Sequence, residues 1–433
     1  MAYKINHANI KNWVRDYDGE PFDAILCDPP YELGFMGKSW DSSGIAFDVD
    51  MWADLFKLIK PGGHLLAFSG SRTYHRMAVA IEDAGFEIRD MIEWVYGSGF
   101  PKSLNIGKAV DKIQGNEREV TGQSRNGSNS LMGGLSDTTT TTTQDITKGT
   151  SPYEGYGTAL KPAHEPCVLA RKPIEGTVAN NVLEYGTGGL NIDGSRVGFS
   201  GDSDKKAHAD TIKHYKTGNP QDNSWKNSSP ITGANEQSNL GRFPANLIHD
   251  GSDEVVELFP DANGGKYKAP NARVRNNGMG LGTTDSRAGT SNAPDNYGDS
   301  GSAARFFYCA KASKSERNAG LEGFEEKRES DRVKDDGVGG DNPRNRSNNA
   351  RANHHPTVKP LALTKYLANL IKPPTGGRLL VPFSGSGSEM IGALQAGWEY
   401  VEGVELTEEY IPIAEARIKH WLDKMSKEQM ELL

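Results

Sequence analysis

The tetrapeptide Asp28-Pro29-Pro30-Tyr31 closes a short apolar run, residues 22–26, that reads as a strand. Proline lacks an N–H donor and fixes φ, so the strand must stop there. The same stiffness holds the Asp28 carboxylate and the Pro29 carbonyl at a set spacing. Both are acceptors, and together they can grip the two N–H bonds of a planar –NH₂ group. Tyr31 follows with a flat face suited to stacking. Taken alone, the tetrapeptide is equally a strand stop with Asp28 as a cap.

A second candidate is Phe383-Ser384-Gly385-Ser386-Gly387, which leads from a strand into a helix. Gly385 and Gly387 permit close approach of a ligand to the backbone, and a helix N-terminus offers unpaired N–H groups. Glu405 ends another apolar run 18 residues beyond Gly387. An acid there can accept hydrogen bonds from ribose hydroxyls, so the pair points to a nucleoside ligand. A near copy, Phe68-Ser69-Gly70-Ser71, lacks the second glycine and reads as an ordinary strand–helix turn.

The two ends of the chain carry the elements that would position these groups. Trp52, Leu55, Phe56 and Ile59 follow helical spacing, with Pro61-Gly62-Gly63 as the stop, and residues 65–68 read as a buried strand. Tyr74, Met77, Ala78, Ile81 and Ala84 line one face of a second helix, and 86–95 is strand-like. At the other end, 361–371 is a helix, 378–383 a strand, 388–396 a helix, 400–404 a strand, and a last helix starts near Tyr410. This alternation predicts a mostly parallel sheet covered by helices, with ligands at the carboxyl ends of its strands.

The middle differs. Residues 121–155, 200–240, 265–300 and 328–352 are rich in Ser, Thr, Asn and Gly, and 138–143 are all threonine. Such stretches bury too little to offset their ordering entropy. Apolar islands separate them at 167–170, 178–183, 243–248 and 305–310. The expected organisation is therefore 1–100 and 351–433 as two halves of one domain, with 101–350 inserted between them. Net charge is −8, yet 1–100 and 376–433 carry −6 and −5 while 101–375 carries +3, so the total excludes no anionic partner.

No apolar run approaches the roughly 18 residues of a membrane span. Cys27, Cys167 and Cys309 are far apart, which fits a reducing cytoplasm and no zinc knuckle.

Together these motifs make the chain resemble the amino-methylating DNA methyltransferases, which move a methyl group from S-adenosylmethionine to adenine N6 or cytosine N4. The order, with DPPY first, then a long insertion, then His355-Pro356-Thr357-Val358-Lys359-Pro360, then the glycine loop, is similar to the β-class permutation. Lys161-Pro162-Ala163-His164-Glu165-Pro166 and Gly241-Arg242-Phe243-Pro244-Ala245-Asn246 resemble blocks of phage and prophage members.

The resemblance implies a Rossmann-like methyltransferase fold, circularly permuted, with a target-recognition insertion. It implies S-adenosylmethionine as cofactor, double-stranded DNA as partner, a homodimer as an available assembly, and no metal. Asp28, Pro29, Pro30 and Tyr31 would be catalytic. Asp28, His355, Thr357, Lys359, Phe383, Ser384, Gly385, Ser386, Gly387 and Glu405 would hold the cofactor. The DPPY form leans toward adenine N6, with cytosine N4 as the alternative and an inactive DNA-binding relative as a third reading. The location implied is the cytoplasm of a bacterial or phage-infected cell.

This chain departs from the family pattern in three places. Val381 stands where an Asp usually precedes Pro-Phe, Ser388 replaces the usual Thr, and Asn6-His7-Ala8 occupies the place of Gly-Asp. A protein-glutamine methyltransferase would carry NPPY with the glycine loop first, and Pro166-Cys167 lacks the surroundings of a C5-cytosine nucleophile.

Overall fold

The computed structural model describes residues 2–33, 39–99, 103–126, 142–202, 204–206, 208, 240–261, 301–311, 313–326 and 352–431. The long polar stretches at 209–239, 262–300 and 327–350, and most of the threonine run, lie outside the described residues.

The strands, in chain order, are β1 (Ala2–His7), β2 (Phe22–Cys27), β3 (Ile59–Phe68), β4 (Glu87–Val95), β5 (Glu119–Asn126), β6 (Thr142–Lys148), β7 (His164–Arg171), β8 (Leu247–His249), β9 (Tyr308–Cys309), β10 (Arg378–Val381) and β11 (Tyr400–Glu405). Nine of them form one sheet in the order β1-β11-β10-β2-β3-β7-β4-β8-β9. β1, β11, β10, β2 and β3 pair in parallel, as do β4 and β8. β2 is buried along its whole length, which explains why 24–27 is apolar without alternation, while the buried Asp23 is held by Lys60 and by the Arg378 N–H.

The sheet departs from the expected pattern at β7. This strand comes from the region expected to be an insertion, yet it lies between β3 and β4 and is antiparallel to both. The island 167–170 is buried because it is a central strand, flanked by a partner on each side. An antiparallel strand also brings its N-terminal residues to the edge where its neighbours end. Phe68 pairs with Cys167, and Trp94 with Glu165.

Two other expectations are corrected. Ile59 is not the last residue of the helix Val49–Leu58 but the first of β3, and Pro61-Gly62-Gly63 lie inside that strand. The β2–β3 register shifts between Phe22 and Ala24, and Gly62 has φ of +75°, so a bulge accommodates the proline. Residues 119–126 and 142–148, read as polar low-complexity chain, pair as the two-stranded sheet β5–β6.

Helices pack in two groups. Val49–Leu58 contacts both Ile10–Asp16 and Tyr74–Asp83, and Ser388–Gln395 contacts both Leu361–Leu370 and Ile411–Glu431. The core between sheet and helices is built from Phe22, Ile25, Trp52, Leu55, Leu65, Met77, Ile81, Val168 and Leu380, all nearly inaccessible.

The chain divides into two compact units. One comprises 1–195, 246–255 and 309–433, the other 196–245 and 256–308, so the separate unit is narrower than the expected 101–350. In the smaller unit Asp204 accepts from Arg242 at 2.9 Å, and the Arg242 guanidinium lies 4.7 Å from the centre of the Phe306 ring. The hydrogen bonds from Arg242 hold the Asp204 carboxyl well below the usual carboxylate range.

Candidate active site

Within the larger unit, the strand order reverses between β10 and β2, where parallel α/β sheets open a crevice at their carboxyl ends. Asp28 follows the last residue of β2, and the glycine loop follows β10. The two motifs identified in the sequence, which begin 355 residues apart at Asp28 and Phe383, therefore flank one crevice because their strands are neighbours.

On the β2 side, Lys359 is the organising cation. Its Nζ donates to Asp28 Oδ2 at 2.6 Å and to the Tyr31 hydroxyl at 3.0 Å. It also lies 3.2 Å from Glu165 Oε2 and 4.7 Å from the centre of the Phe68 ring. The Tyr31 hydroxyl in turn donates to Glu165 Oε2 at 2.8 Å. Burial alone would drive the proton off Lys359, but Asp28 and Glu165 outweigh it and hold the ammonium above its ordinary range. Burial and the same two carboxylates raise Tyr31 well above a free phenol, so its hydroxyl stays a donor.

One atom is left over. Asp28 Oδ1 is buried and has no hydrogen-bond partner among the described residues. A buried carboxylate oxygen without a donor is costly, so it marks a place where a donor belongs.

The Phe68-Ser69-Gly70 turn supports this side. Thr73 Oγ1 donates to the Tyr31 carbonyl at 2.8 Å, and a Cβ on Gly70 would lie 3.3 Å from Tyr31 Cδ2. Reading that turn as ordinary missed its contact with the DPPY loop.

On the β10 side, Gly385 and Gly387 have φ of +48° and +81°, the left-handed region where a side chain is strained. Glu405 ties the loop to β11: its carboxylate accepts from Gly385 N at 2.7 Å and from Thr407 N at 2.8 Å. Burial raises the Glu405 carboxyl, against the pull of these N–H donors. His355 covers the loop, its Nε2 lying 2.8 Å from where a Cβ on Gly385 would sit. Its Nδ1 donates to the Thr357 carbonyl, and burial lowers the imidazole to about 4, so it is neutral. Under the loop, the fully buried Arg417 donates to the Ser386 carbonyl, to Ser386 Oγ at 3.0 Å and to Ser388 Oγ at 3.2 Å.

The remaining expected residues fall as follows. Phe383 packs against the core, and Ser384 Oγ donates to the Val404 carbonyl at 3.2 Å, so both secure the loop. Thr357 is exposed and joins the cluster only through its carbonyl. Lys359 sits with Asp28 rather than on the glycine loop. Glu165 and Glu389 were not singled out from the sequence. Glu165 belongs to the Lys161–Pro166 stretch, but its nearness to Asp28 depends on β7 pairing with β3. Glu389 is buried in the first turn after the loop, and burial raises its carboxyl to about 7.

The family model of the N6/N4 DNA methylases matches residues 22–416. The chain belongs to this family. It is an S-adenosylmethionine-dependent DNA methyltransferase of the N6/N4 type, with the α/β fold of such enzymes. The M1.HpyAVI–SAM complex is similar at 14% identity, with a TM-score of 0.38, 96% of this chain and 98% of that chain covered. The cytosine-N4-specific PvuII DNA methyltransferase is similar at 10% identity, with a TM-score of 0.41, 98% and 91% covered. No curated protein matches the chain in sequence. No helix among the described residues is long and apolar enough to cross a membrane.

The crevice residues fit the cofactor of this family. The two left-handed glycines let the loop turn beneath His355 and against Ala414 at the mouth of the crevice, and the Glu405 carboxylate stands at the end of the neighbouring strand. Val381, fully buried, offers it no polar contact.

Proposed function

We propose that the enzyme methylates adenine N6 of a flipped-out base in double-stranded DNA. The observation that carries the amine reading is the unpartnered, buried Asp28 Oδ1, whose Oδ2 shares Lys359 with the Tyr31 hydroxyl, and the DPPY form favours adenine over cytosine. A target amine inside the duplex cannot reach such a site, so the base must leave the stack, with Tyr31 as its stacking surface.

S-adenosylmethionine supplies an electrophilic methyl group on a sulfonium centre. An exocyclic amine on adenine is a poor nucleophile because its lone pair is delocalised into the ring. Asp28 Oδ1 and the Pro29 carbonyl accept its two N–H bonds and favour a tetrahedral nitrogen with a free lone pair. As the nitrogen gains the methyl group, the methyl–sulfur bond would break with S-adenosylhomocysteine as leaving group, and one of the nitrogen's protons would pass to Asp28 Oδ1. Pro30 keeps the turn rigid, and Tyr31 stays protonated throughout.

Gly385 and Gly387 admit the cofactor to the backbone, and Glu405 accepts from its ribose hydroxyls. Phe383, Ser384 and Ser386 shape that loop, while His355 and Thr357 lie toward the methionine end. The segment between the two halves, including the unit 196–245 and 256–308, supplies phosphate contacts and base-edge readout.

Incubating the protein with unmethylated bacterial DNA and S-adenosylmethionine, then digesting to nucleosides, should yield N6-methyladenine by mass spectrometry. N4-methylcytosine alone would remove the adenine assignment and leave the family intact.

A further inference from the structure

We infer that Glu165 is a positioning residue for methyl transfer, holding Lys359 and Tyr31 so that Asp28 presents one oxygen to the target amine as a sufficiently strong base. This rests on the reading that Asp28 grips the amine. The geometry is a closed set of contacts. Glu165 Oε2 accepts from the Tyr31 hydroxyl at 2.8 Å and lies 3.2 Å from Lys359 Nζ, while Lys359 donates to Asp28 Oδ2 at 2.6 Å. Lys359 and Asp28 expose 5% and 13% of their side chains, so water screens little of the interaction.

One lysine shared by two carboxylates does different work from one lysine on one carboxylate. With Glu165 ionised, Lys359 neutralises only part of the negative charge it touches. Asp28 then keeps enough basicity to take the proton that leaves the amine as the new N–C bond forms. With Glu165 neutral, Lys359 would stabilise the Asp28 carboxylate alone and make it a weaker acceptor. Tyr31 would also lose the acceptor that fixes its hydroxyl, and with it the orientation of the ring.

The other titratable groups facing this cluster do not take the role. Tyr31 and Tyr96 are raised by burial and stay protonated, and burial likewise raises Cys27 and Cys167. His355 is held neutral, and Glu389 feels both Asp28 and Lys359 but has no charged partner as close as those of Glu165. A strand expected to belong to an insertion therefore supplies part of the catalytic setting.

The test uses full-length protein, tritium-labelled S-adenosylmethionine and unmethylated bacterial genomic DNA, with enzyme in excess. Glu165→Gln should slow the single-turnover rate about tenfold and move the acid limb of its pH profile to lower pH. Glu165→Asp, which restores the charge on a shorter stem, should recover part of both. Cofactor affinity by calorimetric titration should stay near parental in each. A parental rate or an unmoved acid limb in a Glu165→Gln variant that still melts cooperatively overturns the inference, and if that variant does not fold, a Glu165→Asp that folds but recovers neither rate nor acid limb overturns it instead. Asp28→Ala is the control. If it transfers methyl groups at the parental rate, the reading of Asp28 itself fails, whatever Glu165→Gln does.

Discussion

Phe68-Ser69-Gly70-Ser71 and Phe383-Ser384-Gly385-Ser386 begin alike, follow a strand and lead to a helix, yet they do different things. In the first, Gly70 keeps an ordinary φ, and its missing side chain makes room for Tyr31 and Leu33. In the second, Gly385 takes a left-handed φ, and its N–H is held by Glu405. One turn buttresses the residue that would stack on the target base. The other is the turn proposed to face the cofactor. The same four residue types reach opposite ends of the chemistry because β3 and β10 lie on either side of β2.

The sharpest way to break this division is Asp28→Ala, on the base side. Removing a charged acceptor from the transition state should cost about 3 kcal/mol or more, roughly a hundredfold in rate. Calorimetric titration should find the cofactor affinity much less altered. Equal losses in rate and affinity would mean that the two sides are not separable.

Glu405→Ala should show the reverse pattern. The variant loses the proposed ribose acceptor and the carboxylate holding Gly385 N and Thr407 N, so cofactor affinity should fall about tenfold or more, near 1.4 kcal/mol. Normal binding in that variant would show that the β10 side has been misassigned.

The glycines compare the two turns directly. Gly387→Ala forces a side chain into φ of +81° with Ala414 Cβ only 3.3 Å away, and should cost about 1–2 kcal/mol of stability. Gly70→Ala meets Leu33 and Tyr31 at 3.2 and 3.3 Å without backbone strain. It should lower the thermal midpoint less, and slow transfer a few-fold while cofactor affinity holds. Thermal melts of both variants beside transfer rates would test the ranking.

A further effect expected is on acid stability. Burial lowers His64 on β3 and His355 over the glycine loop to about 4, below the usual 6.5. A depressed folded-state value means that the unfolded chain binds the proton first. The stabilisation is thus complete above about pH 6.5 and is lost as pH falls toward about 4. Melting midpoints measured from pH 7 to pH 4.5 should decline, and His64→Gln should decline less steeply over that window.

Much of this enzyme is readable along the chain, because the relevant physics is local. Two consecutive prolines remove two ladder donors in a row, so Asp28 stands at the end of β2. Glycine is the residue that tolerates positive φ, so Gly385 and Gly387 marked a bend open to a ligand. The helical spacing of Tyr74, Met77 and Ile81 likewise predicts the helix Tyr74–Asp83. Where local signals failed, a tertiary neighbour had overridden them. Pro61-Gly62-Gly63 reads as a helix stop, yet Asn181 Nδ2 donates to the Pro61 carbonyl at 3.0 Å, and the segment is held as a bulged strand.

Tertiary structure alone decided which charges meet. Glu165 and Lys359 lie 194 residues apart, and no periodicity links them. They come together because β7 enters the sheet antiparallel between β3 and β4, which turns its first residues toward the edge where β2 ends. Side-chain chemistry is a property of the residue. The strength of a buried base is a property of its neighbours, and only pairing across the sheet determines those.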